Sequence, residues 1–218
     1  MAMWTKMLAV CAVLAMSFQA QAVLIGDLFN TGVDGSGTPL ADGTIGDPHY
    51  TLTGVPGGTT TIRVRTSAGG FPIGPWLGDN GTSAWIGPNN DGALNGPPGV
   101  YTYRTTFTLD ANADLATADI TGNWSTDNPG VDILINNAST GNTTTGNFGA
   151  FTPFSINSGF VTGINTLDFI LSNAGTKNNP TGLRVEMVGS YEVIPEPATA
   201  SMGLLAIGGL ILRRRRTA

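Results

Sequence analysis

The chain has 218 residues, of which only 11% are charged, and its formal net charge is −5. Residues 23–193 contain five basic and fourteen acidic side chains, which argues against nucleic-acid binding because such binding depends on neutralising phosphates. The single cysteine, Cys11, lies close to the N-terminus, so the remainder of the chain has no thiol for disulfides, thiolate metal sites or nucleophilic catalysis.

The N-terminus has the organisation of a secretory signal peptide. Lys6 supplies a positive charge, residues 7–16 form an apolar run, and Ala20 and Ala22 occupy the small-residue positions of a cleavage site. We therefore predict a signal helix over residues 1–22, which signal peptidase removes by cutting after Ala22. The alternative is a permanent membrane anchor, but the apolar segment is shorter than the ~20 residues that span a bilayer.

Ten short runs within residues 23–193 alternate apolar and polar side chains, the pattern of half-buried strands. The clearest run places Tyr101, Tyr103, Phe107 and Leu109 on one face and polar side chains on the other. In chain order, the predicted strands cover residues 23–29, 49–53, 59–66, 83–86, 100–109, 115–124, 131–136, 148–156, 167–172 and 183–188.

Clusters of Gly, Asn, Asp and Pro separate these runs, as at residues 127–130 and 136–147. Before the C-terminal tail, no segment has a convincing helical period. Many short strands joined by such turns are typical of antiparallel sandwiches and barrels. We predict an all-β fold, an antiparallel β-sandwich of jelly-roll type over residues 23–192. A short C-terminal transmembrane helix follows it.

The C-terminal tail, residues 193–218, has three parts. A Pro-Glu-Pro sequence at 195–197 blocks helix extension upstream, residues 198–212 are small and apolar, and four arginines at 213–216 stay cytoplasmic by the positive-inside rule. A helix over 198–212 is about 22 Å long at ~1.5 Å per residue. The hydrocarbon core is ~30 Å thick, so we expect a temporary membrane anchor.

This tripartite tail resembles the PEP-CTERM sorting signal of Gram-negative bacteria. The resemblance implies an exported protein, held transiently in the inner membrane until an exosortase, a membrane-embedded transpeptidase-like enzyme, processes the tail. Substrates of that enzyme often accompany exopolysaccharide production, so the expected location is the cell-envelope surface or the extracellular matrix. A simple single-pass anchor is the alternative. The residues that match the sorting signal are Pro195, Glu196, Pro197, Arg213, Arg214, Arg215 and Arg216.

The order of elements over residues 101–188 resembles the galactose-binding-like jelly roll. In that family a strand ending in Asn-Gly precedes a strand that begins with Gly-x-Asn-x-Leu. Gly163, Asn165 and Leu167 match the second motif, whereas Asn136 is followed by Asn137 where the family has glycine. The resemblance implies the fold and, often, a structural calcium, but it assigns no ligand because function lies in sites grafted onto folds.

Four carboxylates early in the domain are the candidate calcium ligands. Asp27, Asp34, Asp42 and Asp47 lie in a Gly-rich stretch with many free carbonyl groups, and hard oxygen ligands of this kind suit Ca²⁺. Their spacing matches no EF-hand. The alternative is that the acidity only keeps an exported protein soluble.

Trp76, Trp85 and Trp124 are the candidate carbohydrate-binding residues, because an exposed tryptophan ring can stack against a sugar ring. The alternative is core packing, since a tryptophan side chain buries a large area. Exposed tryptophans along a groove would favour a carbohydrate-binding module.

The residues available for catalysis are few. His49 is the only histidine, and no Gly-x-Ser-x-Gly motif accompanies it. Glu186 and Glu192 are the only glutamates of the domain, and a glycosidase needs a carboxyl pair with one raised pKa. We predict a non-catalytic surface or matrix protein associated with exopolysaccharide. The alternatives are a carbohydrate-binding, lectin-like module and a glycan-active hydrolase.

Overall fold

Two antiparallel sheets face each other across an apolar core in a computed structural model of the chain, which describes residues 22–194. The predicted signal helix and C-terminal transmembrane helix lie outside the described residues, apart from Ala22. The strands are β1 Ala22–Leu24, β2 Thr51–Gly54, β3 Ile62–Arg65, β4 Trp85–Pro88, β5 Asn95–Gly96, β6 Gly99–Leu109, β7 Ala113–Asp127, β8 Gly130–Ile135, β9 Ala138–Ser139, β10 Thr152–Ile156, β11 Gly163–Asn173, β12 Asn179–Pro180 and β13 Gly182–Val193.

The first sheet has the order β10-β7-β13-β4-β3, with β1 pairing alongside β13, and the second has the order β2-β6-β11-β8-β9. From β6 onward the longer strands alternate between the two sheets, as in a jelly roll. The prediction of an all-β antiparallel sandwich is confirmed. Within residues 22–194 there is one short 3-10 helix, Ser67–Gly69. No helix in this part of the chain has enough length and apolar character to cross a membrane.

Alternation of side chains explains why these segments form strands. On β6 the side chains of Tyr101, Tyr103, Phe107 and Leu109 are buried between the sheets, as predicted. Each of the ten predicted strands overlaps an observed strand, although the observed bounds differ by several residues. The strands that the pattern missed, β5, β9 and β12, have two residues each, which is too short to reveal a period of two.

A turn and a buried asparagine join β8, β9 and β11. Asn136 and Asn137 link β8 to β9 and both have positive φ, 50° and 67°, as a two-residue type I′ hairpin requires. Asn165 is fully buried, and its side-chain amide donates to the carbonyls of Val161 and Gly163. Its Oδ1 accepts a 2.8 Å bond from Asn136 Nδ2. The Gly-x-Asn-x-Leu motif therefore has a structural role here.

A second, smaller apolar cluster lies on the outer face of the first sheet. It contains Trp76, Trp85 and Leu94, with the two indole rings 4.3 Å apart. A Cβ added at Gly182 on β13 would lie 2.8 Å from the Trp76 ring, so glycine is required for this close approach. The loop between β3 and β4 is thereby fixed against the sheet, and it borders the groove described next.

Candidate functional site

A groove of about 540 Å³ lies on the outer face of the first sheet. Its floor comes from β10, β7 and β13, where Pro153 pairs with Asn123 and Asn123 pairs with Glu186. Because these side chains are opposite the core-facing ones, they point to solvent. The lining residues are Asn30, Thr82, Thr121, Gly122, Asn123, Pro153, Phe154, Glu186, Met187 and Val188.

The carboxylate of Glu186 is held in place at the groove. Its Oε1 accepts hydrogen bonds from Ser83 Oγ at 2.7 Å and Asn80 Nδ2 at 2.5 Å. Its side chain keeps 22% of its surface exposed. Among the described residues, hydrogen bonds to this carboxylate reach only Oε1, so Oε2 is free to accept from a ligand.

Arg184 lies two residues before Glu186, on the same face of β13, and is buried. Its guanidinium donates to Ser83 Oγ at 2.7 Å, to the Gly78 carbonyl at 2.7 Å and to Asn80 Oδ1 at 2.5 Å, and it lies 5.5 Å from the centre of the Phe151 ring. Burial lowers the pKa of Arg184, while the nearby Glu186 carboxylate opposes this shift. The result is a loop fixed to the sheet by one cation, with Ser83 and Asn80 positioned to hold Glu186.

The other side of the groove is fixed by Asn30. Its Nδ2 donates to the carbonyl of Thr82, and its Oδ1 accepts from the backbone N–H of Met187 at 2.8 Å. The groove thus offers one carboxylate oxygen, the Asn123 amide and threonine hydroxyls above an apolar patch at Pro153. Such a set can accept and donate hydrogen bonds to a neutral polyhydroxylated ligand.

The burial of the three candidate tryptophans agrees with the core-packing alternative. Trp76 is 3% exposed, and Trp85 and Trp124 are fully buried. Trp76 Nε1 donates to Asp127 Oδ2 at 2.9 Å, and Trp85 Nε1 donates to the Leu77 carbonyl at 3.0 Å. Buried rings of this size stabilise the sandwich and cannot stack on a sugar.

The structure does not gather the four predicted calcium ligands into one group. Asp34 accepts from Ser36 and Thr38, and these hydrogen bonds, chiefly that of the Ser36 hydroxyl, hold the pKa of Asp34 below its ordinary value. Asp42 forms a 3.2 Å ion pair with Arg65. Within residues 22–194, no cluster of three or more His, Cys, Asp or Glu side chains is arranged to hold a metal ion.

The remaining two aspartates differ in exposure. Asp27 is exposed at the surface. Asp47 is half-buried and accepts from the backbone N–H groups of Gly32, His49 and Tyr50. Burial raises the pKa of Asp47, and these three donors partly offset the shift. Both of its oxygens therefore serve the local fold.

The His49 side chain has a structural role, because both its ring face and its Nε2 contact neighbouring residues. Its ring stacks on Phe29 with centroids 3.6 Å apart, and its Nε2 lies 3.1 Å from the Asp34 carbonyl oxygen. Glu186 and Glu192 lie six residues apart on β13, about 20 Å at ~3.3 Å per residue. Glycosidase carboxyl groups are typically ~5–10 Å apart, so these two glutamates do not form such a pair.

Sequence reasoning missed Asp127, at the end of β7. It is 6% exposed and accepts from the Trp76 indole and from Asn128 Nδ2. Burial raises the pKa of Asp127 to about 6, against the lowering effect of the Trp76 hydrogen bond. No spacing in the sequence marks this contact, because Trp76 and Asp127 are 51 residues apart.

Two solved structures are similar to part of the chain. One is described as the structure of CBM35 from Paenibacillus barcinonensis, with 16% identity, a TM-score of 0.35, and coverage of 66% of this chain and 98% of that chain. The other is the CBM36-1 domain of a multidomain xylanase from the hindgut metagenome of Trinervitermes trinervoides. It has 14% identity, a TM-score of 0.27, and coverage of 79% and 96%. No curated protein has significant similarity to the chain.

The tail gives the specific match. Residues 193–216 match the PEP-CTERM protein-sorting motif. The match begins at the last residue of β13 and includes the Pro-Glu-Pro sequence, the apolar segment and the arginines. The chain therefore carries a PEP-CTERM sorting motif at its C-terminus, which indicates export and sorting to the cell surface.

Proposed function

We propose that this protein is a non-catalytic surface or extracellular-matrix protein that an exosortase-type enzyme processes and that associates with exopolysaccharide. The observation that carries the proposal is the sorting motif at residues 193–216. Signal peptidase removes residues 1–22. The apolar segment 198–212 and the arginines 213–216 then hold the precursor transiently in the inner membrane.

The described residues support a non-catalytic role. The carboxyl group with a strongly raised pKa, Asp127, is enclosed by Trp76 and Asn128, so a substrate cannot reach it. His49 is engaged by Phe29 and the Asp34 carbonyl. A hydrolase remains the alternative, and a calcium ion that stabilises the early loops remains a proposal of its own.

Lectin-like binding of carbohydrate is the second candidate, and the Glu186 groove favours it. Because two donors hold Oε1 of Glu186, the side chain is already fixed, and Oε2 is preorganised to accept hydrogen bonds from hydroxyl groups with little further loss of side-chain freedom. Residues 23–193 carry a net charge of −9, which favours a neutral saccharide over an acidic one. The ligand class is thus a neutral polysaccharide with exposed hydroxyl pairs.

The sorting proposal is tested by changing the tail in the host. Replacing Glu196 and the arginines 213–216 should leave the protein in the inner-membrane fraction with its tail intact, as should deletion of the host exosortase. The unchanged protein should instead be found at the surface or in the matrix with a shortened C-terminus. If the altered and the unchanged protein were distributed equally between the inner-membrane and surface fractions, exosortase processing would be refuted.

A further inference from the structure

The sequence contains two Asn-Gly pairs, at 80–81 and 95–96. In such a pair the backbone nitrogen of glycine can attack the side-chain carbonyl carbon of asparagine, because glycine has no side chain to hinder the approach. Asn80 and Gly81 are both exposed and lie in the loop that precedes β4, whereas Asn95 is half-buried and Gly96 is buried. The two pairs have the same covalent chemistry, and their surroundings differ.

Two donors polarise the side-chain carbonyl of Asn80. Its Oδ1 accepts from the Arg184 guanidinium at 2.5 Å and from the backbone N–H of Thr82 at 3.0 Å. Arg184 is 1% exposed, so water screens its charge little. Donors placed in this way stabilise the negative charge that develops on an oxygen while a nucleophile adds to the carbon. The Asn80 side chain is therefore an activated acyl group.

The nitrogen of Gly81 is open to solvent. Gly81 has a φ of 77°, and a Cβ added there would meet no atom within 4 Å. Within residues 22–194, no backbone carbonyl accepts from the Gly81 N–H. The leaving group is held nearby, since Nδ2 of Asn80 donates to Glu186 Oε1 at 2.5 Å. The loop thus combines a fixed electrophile with an unhindered nucleophile.

Asn95 and Gly96 lack both features. Nδ2 of Asn95 donates to Asp91 Oδ2 at 2.8 Å, but in the described part of the chain no donor reaches its Oδ1. Gly96 lies in β5 and pairs with Asn179 of β12, and a Cβ added there would collide with the Tyr101 hydroxyl. The second pair is therefore an internal control for the first.

We propose that Asn80-Gly81 is a deamidation site at which the fold itself promotes conversion of the Asn80 amide to a carboxylate. The Gly81 nitrogen bonds to Cγ of Asn80 and gives its proton to solvent. The Cγ–Nδ2 bond then breaks, and ammonia leaves after taking a proton from water. A second water molecule opens the resulting five-membered imide and leaves aspartate or isoaspartate at position 80. No redox change occurs.

The conversion removes a group that holds Glu186. A carboxylate at position 80 cannot donate to Glu186 Oε1, and two negative charges in contact repel each other. The Arg184 guanidinium pairs with the new carboxylate instead. Glu186 then loses its fixed position, so the groove changes as the exported protein ages.

The test compares the two Asn-Gly pairs within one protein. The protein purified from its host is incubated at neutral pH, either folded or in urea, and peptide mapping by mass spectrometry follows the amides of Asn80 and Asn95. In urea both should convert at similar rates. In the folded protein Asn80 should convert about tenfold or more faster than Asn95, and faster than in urea, since one oxyanion donor alone changes a rate by ~10²–10³ in a closed site. Slower conversion of Asn80 in the folded protein than in urea would overturn the proposal. The assay contains no saccharide and no exosortase, so its failure is separate from failure of the proposed function.

Arg184→Met tests the role of the guanidinium. It removes one of the two side-chain carbonyl donors, so conversion of Asn80 should fall toward the rate in urea, and a variant that fails to fold should show that same lower rate. Lys177→Met, which removes an exposed cation, should leave the rate of the folded protein unchanged. Faster conversion in Arg184→Met would mean that the arginine restrains Asn80 rather than activates it, and the proposal would fail.

Discussion

Single side chains on the outer face of β13 hold the loop that precedes β4 against the first sheet. Arg184 fixes the loop that precedes β4, and Glu186 uses the same loop for its donors. The sequence named Glu186 only as a possible member of a carboxyl pair and did not single out Arg184, because each occupies a polar position in an alternating strand. The sequence pattern predicts which face such residues take, but not which loop covers them.

Glu186→Gln should weaken binding to a neutral polysaccharide about tenfold or more, because a hydrogen bond to a charged group contributes ~1.5–3 kcal/mol. The measurement is isothermal titration of the processed protein with the host exopolysaccharide. Glu192→Gln, on the same strand and about 20 Å away on the ~3.3 Å rise per residue, is the matched control. Equal affinity of the wild type and Glu186→Gln would remove the groove as the binding site.

Arg184→Met should lower the free energy of unfolding by about 3 kcal/mol, since it breaks a buried charged network. Without the Arg184 guanidinium, Ser83 Oγ and Asn80 Oδ1 lose the group that donates a hydrogen bond to each of them. Urea denaturation measures the change, and hydrogen exchange should become faster in residues 77–83. Lys177→Met, at an exposed position, should leave both unchanged. A stable Arg184→Met protein would show that the loop is held by its apolar contacts alone.

Asp127 should make the domain more stable in mild acid. Its pKa is raised from 3.8 to about 6 in the fold, so folding takes up a proton between these values. The contribution is complete below pH 3.8 and is lost as the pH rises through about 6. Asp127→Asn should therefore flatten the pH dependence of the unfolding free energy between pH 4 and 7. Parallel profiles for the two proteins would contradict this.

At the scale of the elements, the turn after β8 shows what a motif can and cannot predict. β11 begins at Gly163, the first residue of the Gly-x-Asn-x-Leu sequence and four residues before the strand that alternation predicted. The hydrogen bonds of Asn165 explain why the asparagine is needed there. The departure at Asn137 does not break the turn, because asparagine tolerates positive φ.

Asn165→Ala should reduce the unfolding free energy by about 2 kcal/mol, since it leaves the partly buried N–H and carbonyl of Val161 without their hydrogen bonds to Asn165. Asn137→Gly should instead be neutral or slightly stabilising, because glycine suits the second position of a type I′ turn. Thermal unfolding of both variants gives the comparison. A larger loss for Asn137→Gly than for Asn165→Ala would contradict these roles.

For the whole molecule, composition and periodicity predicted the all-β sandwich and the ten main strands, and the resemblance of the tail to the PEP-CTERM signal predicted the sorting motif. They did not predict the candidate groove, because its lining residues come from segments as far apart as Asn30 and Val188. The burial of Trp76 and Trp85 has a related cause, because a loop that folds back over the first sheet creates a second core on its outer face. Trp124 lies in the main core between the sheets. Local sequence pattern carries no sign of the second core.

A chain that ends at Ser190 should fold far less stably than one that ends at Ile194. It loses Tyr191 and Val193, and removal of a large buried side chain costs ~3–5 kcal/mol. Thermal unfolding of the two truncated chains measures the difference. Equal midpoints would show that the end of β13 is dispensable.

The position of β13 also sets the time at which the protein can fold. This strand pairs with β1, β4 and β7. The first sheet therefore cannot form completely until the chain up to residue 193 is available for pairing. Because β13 is the last strand of the domain and ends where the sorting motif begins, the residues that complete the first sheet are the ones next to that motif. A chain shortened before Gly182 would therefore lack the strand on which β1, β4 and β7 pair.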